Sequence, residues 1–348
     1  MNGIQGDASL PLNANQENAV PIACQGIRAC PTDTRDNNNV TTSDDAQYSR
    51  DDEWFDSEGL RCAVAVFRPA ATTADTPAVV MAHGFGTPRA VRLYAYADVF
   101  ARAGYTVIVF DYRHFGESEG EPRQLLDISK QHQDWRNAVA YARSLDGVDS
   151  RRIVGWGTSF AGGHVLALAG TGEDFAAVIA QVPHVDGFAA VRATGLRNAL
   201  RIMPSAIADQ ARALLKRSPR YINSVGRPGD PAVMTSPDAM DGRTRMLAAS
   251  GLKDGDYLET VAARILLRIG LYSPGRTAAA IQCPTLIQIM EDDAVTPAAV
   301  AIKTARKIPD ATVHIHQGGH FDPYTEPKFP IIVDEQLSFL RRTVPLAP

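Results

Sequence analysis

The chain has 348 residues, 45% of them apolar and 21% charged, with a formal net charge of −4. These values fit a globular protein of one large domain, or of one domain carrying a sizeable insertion. They argue against nucleic acid or an anionic membrane as the main partner, and no stretch approaches the roughly 18–20 consecutive apolar residues of a membrane span.

The first fifty residues are rich in Asn, Asp, Gln and Thr and poor in large apolar groups. Such a stretch buries too little surface to offset its ordering entropy, so residues 1–50 are predicted to form a mobile polar tail, with order beginning near Trp54. Met1–Pro21 has neither a basic start nor an apolar run, which predicts no secretory signal and a cytoplasmic location. Cys24, Cys30, Cys62 and Cys283 lack the paired spacing of a zinc site. They are read as free thiols, although Cys24 and Cys30 could close a small loop in an oxidising compartment.

From Trp54 onward, strands and helices alternate. This predicts an α/β fold with a mostly parallel central sheet and helices on both faces. Leu60–Phe67 and Ala78–Ala82 read as strands; Leu93, Ala97 and Phe100 form one face of a helix ending at Gly104. Tyr105–Phe110 is a continuous apolar run, as expected of a strand buried on both faces. Ile128, Trp135, Val139 and Ala142 mark the next helix; Arg152–Trp156 is a strand, followed by a helix from Ser159 through Leu168. Phe175–Val182 and Thr285–Met290 are strands, Ala298–Lys307 a helix and Thr312–His316 a strand, and Pro330 opens a last helix. Between residues 184 and 280 the rhythm breaks. Two helical pieces are predicted there, one through Ile207, Ala211 and Leu214 and one through Leu258, Val261 and Ile265, separated by turns such as Gly226–Pro231. The segment reads as a helical cap inserted into a core of 51–183 and 281–348, over the carboxyl ends of the strands, where open α/β sheets bind ligands.

The chemistry is concentrated in three loops. In Gly157-Thr158-Ser159-Phe160-Ala161-Gly162-Gly163 a strand turns sharply into a helix. A serine at the tip of that turn is presented as a nucleophile only if its neighbours two residues away are small, which Gly157 and Ala161 are. The hydroxyl needs a base. His320 follows Gly318-Gly319 after a strand and is the candidate, while His314 and His316 lie within the strand and read as structural. The base in turn needs an acid to fix its tautomer. Glu291-Asp292-Asp293 ends the strand Thr285–Met290, and Asp293, next to Ala-Val-Thr-Pro, is favoured over Asp292, with Asp186 a third candidate. The order Ser159, Asp293, His320 is that of α/β-hydrolases. His83-Gly84-Phe85-Gly86 follows another strand, so the N–H groups of Phe85 and Phe160 are assigned to an oxyanion hole.

Residues 78–341 resemble α/β-hydrolases, particularly the branch related to fungal polyketide transferases and X-prolyl dipeptidyl peptidases. The resemblance is carried by His83-Gly84-Phe85-Gly86, Asp111-Tyr112-Arg113 with Gly116-Glu117-Ser118, the Ser159 elbow, and Gly319-His320-Phe321-Asp322. It departs at Ala161, where glycine is usual. The resemblance implies a hydrolase or acyl transferase without cofactor or metal, working through an acyl-serine, with Asp111-Tyr112-Arg113 bracing the loop beside the oxyanion hole. The expected substrate is a small-molecule ester; a thioester or amide served by the same machinery is the alternative. A non-catalytic binding protein on this fold would have lost a triad member, and none is missing. No nucleic acid or membrane partner is expected, and a homodimer is left open. Residues 192–227 carry eight basic side chains against one acid, Asp209. These either face the cleft and select an anionic substrate or, the preferred reading, form a solvated face.

Overall fold

The computed structural model describes residues 47–70 and 74–347. The proposed tail up to Ala46, and with it Cys24 and Cys30, lies outside the described residues. Order begins earlier than Trp54: β1 (Tyr48–Ser57) pairs antiparallel with β2 (Leu60–Pro69) along its whole length. Sequence periodicity misses β1 because it is an edge strand whose first residues, Ser49-Arg50-Asp51-Asp52, face water.

The remaining core elements follow in order: β3 (Thr76–Ala82), α1 (Leu93–Arg102), β4 (Thr106–Phe110), α2 (Ile128–Ser144), β5 (Val148–Thr158), α3 (Phe160–Gly170) and β6 (Ala177–Gln181). After residues 184–280 come β10 (Thr285–Met290), α8 (Ala298–Ala305), β11 (Ala311–His316) and α9 (Lys328–Thr343). The sheet runs β1-β2-β4-β3-β5-β6-β10-β11, parallel from β4 to β11. Period-2 alternation divides each central strand between two apolar layers. Ala78, Val80 and Ala82 of β3 meet the side covered by Trp135 of α2 and Leu166 of α3. Val79 and Met81 meet the side covered by Phe100 of α1 and Leu340 of α9. Strands buried on both faces need no polar alternation, which is why β3 and β4 read as unbroken apolar runs.

Residues 184–280 hold α4 (Gly187–Ala193), α5 (Leu196–Leu214), β7 (Tyr221–Val225), β8 (Ala232–Met234), α6 (Ala239–Ala249), β9 (Thr260–Ala262) and α7 (Leu266–Ile269). The segment is therefore not purely helical: β8, β7 and β9 form a small sheet of their own. The expected helix through Leu258, Val261 and Ile265 is instead β9 running into a 3₁₀ turn at Ala263–Ile265. A strand of three residues is too short to show a period. Among the described residues no helix is long and apolar enough to cross a membrane.

Candidate active site

Ser159 sits between β5 and α3 with φ 55° and ψ −116°, a left-handed backbone that costs a non-glycine residue about 1–3 kcal/mol. The surroundings hold it there. Its N–H donates to the Gln181 carbonyl at 2.9 Å, and its carbonyl accepts from the His184 N–H at 2.8 Å. A Cβ on Gly157 would lie 2.2 Å from the Ala161 carbonyl oxygen, and one on Gly163 would lie 2.2 Å from that of His184. Only glycine fits either place. Ala161 itself is fully buried, so the methyl that departs from the usual elbow is accommodated.

Below the elbow a buried polar ladder ties the strands together. Trp156 Nε1 donates to Gln336 Oε1 at 2.9 Å, and Gln336 Nε2 donates to Gln181 at 3.0 Å and to Gln288 at 2.7 Å. Gln181 Nε2 reaches Thr158 Oγ1 at 3.2 Å, and Thr158 bonds to Tyr324. Thr158, the residue before Ser159, is thus fixed from β6, β10 and α9 at once.

The three loops converge on Ser159. His320 Nε2 lies 3.0 Å from Ser159 Oγ, and His320 Nδ1 lies 2.7 Å from Asp293 Oδ2, all three side chains buried. With Nδ1–H donated to the carboxylate, Nε2 presents its lone pair to the hydroxyl. Asp292 instead accepts from the Gly318 N–H at 3.3 Å, and Asp186 caps α4 by accepting from Ala189 N–H at 3.0 Å. His314 and His316 both bond to Glu335 on α9.

Sequence reasoning missed Thr296. Its hydroxyl donates to Asp293 Oδ2 at 2.8 Å, and its N–H and that of Val295 reach Oδ1 at 2.6 and 2.8 Å. The carboxylate is therefore locked with Oδ2 aimed at the imidazole. The signal was available: a threonine three residues after an aspartate in a tight loop bonds back to it routinely.

Phe85 follows β3 and Phe160 opens α3. The Phe160 N–H is one of the helix-start amides with no acceptor inside its own helix. The loop comes close enough that a Cβ on Gly84 would lie 3.1 Å from Ser159 Cβ, and the Phe85 and Phe160 rings pack edge to face at 5.6 Å. His83 bonds its own loop through Gly84 O at 3.0 Å, and burial pushes its pKa down to about 4, so it is neutral. Asp111 accepts the Arg89 and Glu117 N–H groups at 2.7 and 3.2 Å and joins this loop to the next; burial pushes its pKa up to about 6. Tyr112 accepts from Trp135 Nε1 at 2.8 Å, and Arg113 is paired with Asp134 and Glu58. These three residues brace the loops and do not reach Ser159.

Two cavities open from the hydroxyl. The larger, about 700 Å³ with its open mouth included, runs along Val191, Ile202, Met203, Leu266 and Ile269 of the segment 184–280. The smaller, of about 420 Å³, lies on the His320 side between Val91, Leu93, Met246 and Phe321. Phe85, Ser159 and Met234 border both. None of the basic residues of 192–227 lines either cavity; Arg192, Arg197, Arg201, Lys216, Arg217, Arg220 and Arg227 are exposed.

Residues 58–322 match the family described as X-Pro dipeptidyl-peptidase (S15 family). The quorum-quenching protein AidA of Acinetobacter baumannii is 42% identical over 295 residues, 85% of this chain and 95% of that one. The polyketide transferase claH of Penicillium crustosum is 26% identical, over 83% of this chain and 96% of its own length. Among solved structures, the alpha/beta hydrolase GrgF from Penicillium sp. sh18 superposes with a TM-score of 0.70 at 24% identity, covering 84% of this chain and 98% of GrgF. The chain has the α/β-hydrolase fold and belongs to the S15 family of hydrolases.

Proposed function

We propose that the protein is a serine esterase acting on carboxylic esters with an apolar acyl group. The observation that carries this reading is the unbroken relay Asp293–His320–Ser159, 2.7 and 3.0 Å long, at the mouth of an apolar cleft. Ser159 Oγ attacks the ester carbonyl as its proton passes to His320 Nε2. The oxyanion is received by the Phe85 and Phe160 N–H groups. Each such donor is worth about 10²–10³ in turnover. Collapse breaks the bond to the alkoxide, which takes the proton from His320 and leaves. Water then attacks the acyl-Ser159 ester by the same route, releasing the acid and restoring the hydroxyl. Asp293 holds the imidazole and balances its transient charge.

Peptide cleavage after an X-Pro pair, the activity in the family's name, suits the cleft less well. A peptide amino terminus is a cation near neutral pH and calls for a carboxylate partner. Among the described residues no Asp or Glu lines either cavity. A thioester or acyl-transfer substrate is the second reading, favoured by the relative named as a polyketide transferase and by a cleft indifferent to the leaving atom. A quorum-sensing signal with an ester bond and an apolar tail falls within the proposed substrate class, which makes quorum quenching, the role in the AidA name, a proposed role for this chain too. Hydrolysis of p-nitrophenyl acetate, butyrate and octanoate by wild type and Ser159→Ala tests the reading. Turnover by wild type alone, rising with chain length, supports it. Turnover only of thioesters shifts it to the second reading, and full activity of Ser159→Ala sinks it.

A further inference from the structure

α5 has three faces rather than the usual two. Ile202, Ala206 and Asp209 point inward and are buried, and Ala199, Ile202 and Met203 wall the large cleft. Leu196, Leu200, Ile207 and Leu214 are 69%, 66%, 59% and 77% exposed. At about 100° per residue these four fall within roughly 40° of one another, a single apolar ridge along the helix. Leu215, just past its end, is 65% exposed, and Phe188 on the preceding helix is 71% exposed. Singly exposed leucines are ordinary; a ridge of them on one helix marks an interaction surface. Arg197 and Arg201 are exposed on the flank of the ridge, and Lys216 and Arg217 follow its end. The one acid between Gly187 and Arg220, Asp209, is buried and bonded to Arg264.

We propose that this ridge is an interfacial helix that seats the cap on an anionic lipid surface, with its leucines among the acyl chains and its arginines at the headgroups. The charge decides between occupants. Pairing α5 with a second copy of itself would set arginines against arginines, whereas an anionic headgroup layer satisfies them. The net charge of −4 conceals this patch because the acids lie elsewhere. The inner face of the same helix walls the acyl cleft, so an amphiphilic ester held in the lipid would meet the cleft directly; that purpose rests on the function proposed above, while the lipid contact does not.

The test is co-sedimentation of the full chain with vesicles of phosphatidylcholine alone or with 30% phosphatidylglycerol (about one lipid in three anionic, near the charge of a cytoplasmic leaflet). The expected result is at least about tenfold tighter binding to the anionic vesicles, weakening as salt is raised. Leu200→Glu/Ile207→Glu should abolish that binding and leave p-nitrophenyl acetate hydrolysis in solution unchanged. Arg197→Ser/Arg201→Ser should weaken it about twenty-five-fold, at about fivefold per charge. Binding that ignores lipid charge, or that survives the Leu200/Ile207 pair, overturns the proposal. So does a dimer that this pair converts to monomer with no vesicle binding in wild type. An inactive wild type that still binds anionic vesicles would count against the esterase alone.

Discussion

Around Ser159 the sheet-side loops and the segment 184–280 hold their contents by different means. In the core, the Asp293–His320–Ser159 chain and the Gln336 ladder hold the polar groups beside the elbow, and glycines sit where a single carbon would strike backbone. In residues 184–280, the cleft walls are mostly apolar side chains, and the outer face of α5 carries leucines into solvent. Hydrogen bonds and steric exclusion fix the reacting atoms to tenths of an ångström and tolerate little change. Volume and apolar area hold a substrate loosely and tolerate much. On the proposed function, one region would set the chemistry and the other what it acts on.

Ser159→Ala should lower ester turnover by about four to six orders of magnitude with the melting temperature nearly unchanged, measured by steady-state kinetics and calorimetry. A pH series comes next. Buried His83, His114 and His132 stay neutral down to about pH 4, while the unfolded chain takes up protons from about 6.5 downward. Stability is thus full above pH 6.5 and lost as the pH falls toward 4, by about 3 kcal/mol for His83 alone. Asp111, raised to about 6, and Asp134, also raised by burial, oppose this because their buried carboxyls prefer the proton, but they are two groups against five, since burial lowers His164 and His184 as well. Melting temperatures flat from pH 7 to 4.5 would contradict the buried, neutral histidines.

Smaller effects sharpen the contrast. Gly157→Ala should cost about 1–3 kcal/mol and most of the activity, because the added carbon lands 2.2 Å from a backbone oxygen. Thr296→Val removes one hydrogen bond to Asp293 and keeps the two backbone donors, so turnover should drop about tenfold with KM unchanged. Least of all, Arg197→Ser/Arg201→Ser should leave the ratio of turnover on neutral and carboxylate-bearing soluble esters as it was, since neither side chain lines the cleft. A selective loss on the anionic ester would return those residues to the site.

The same contrast explains what could be read in advance. Strands such as Thr106–Phe110 are legible because burial on both faces leaves no choice but an apolar run. Ser159, His320 and Asp293 stand out because a nucleophile elbow, a double glycine and a strand-end carboxylate cluster each have a local signature. β1 is hidden by its polar edge, and β8 and β9 by their three-residue length. Thr296 shows in the sequence only as a threonine three residues after an aspartate, and what its bonds to Asp293 do emerges once His320 lies beside that carboxylate. The basic residues of the cap were legible as a solvated face, yet the ridge beside them emerges only once the helix is folded and its inner face is known. An average over the whole chain, such as net charge, says nothing of a patch on one helix.

The central claim is that Ser159 is the nucleophile, and intact-mass spectrometry with peptide mapping after a fluorophosphonate probe tests it most directly. One adduct per chain is expected, on the peptide containing Ser159, absent from Ser159→Ala and strongly slowed in His320→Ala. An adduct on another residue, or equal labelling of wild type and Ser159→Ala, would contradict it.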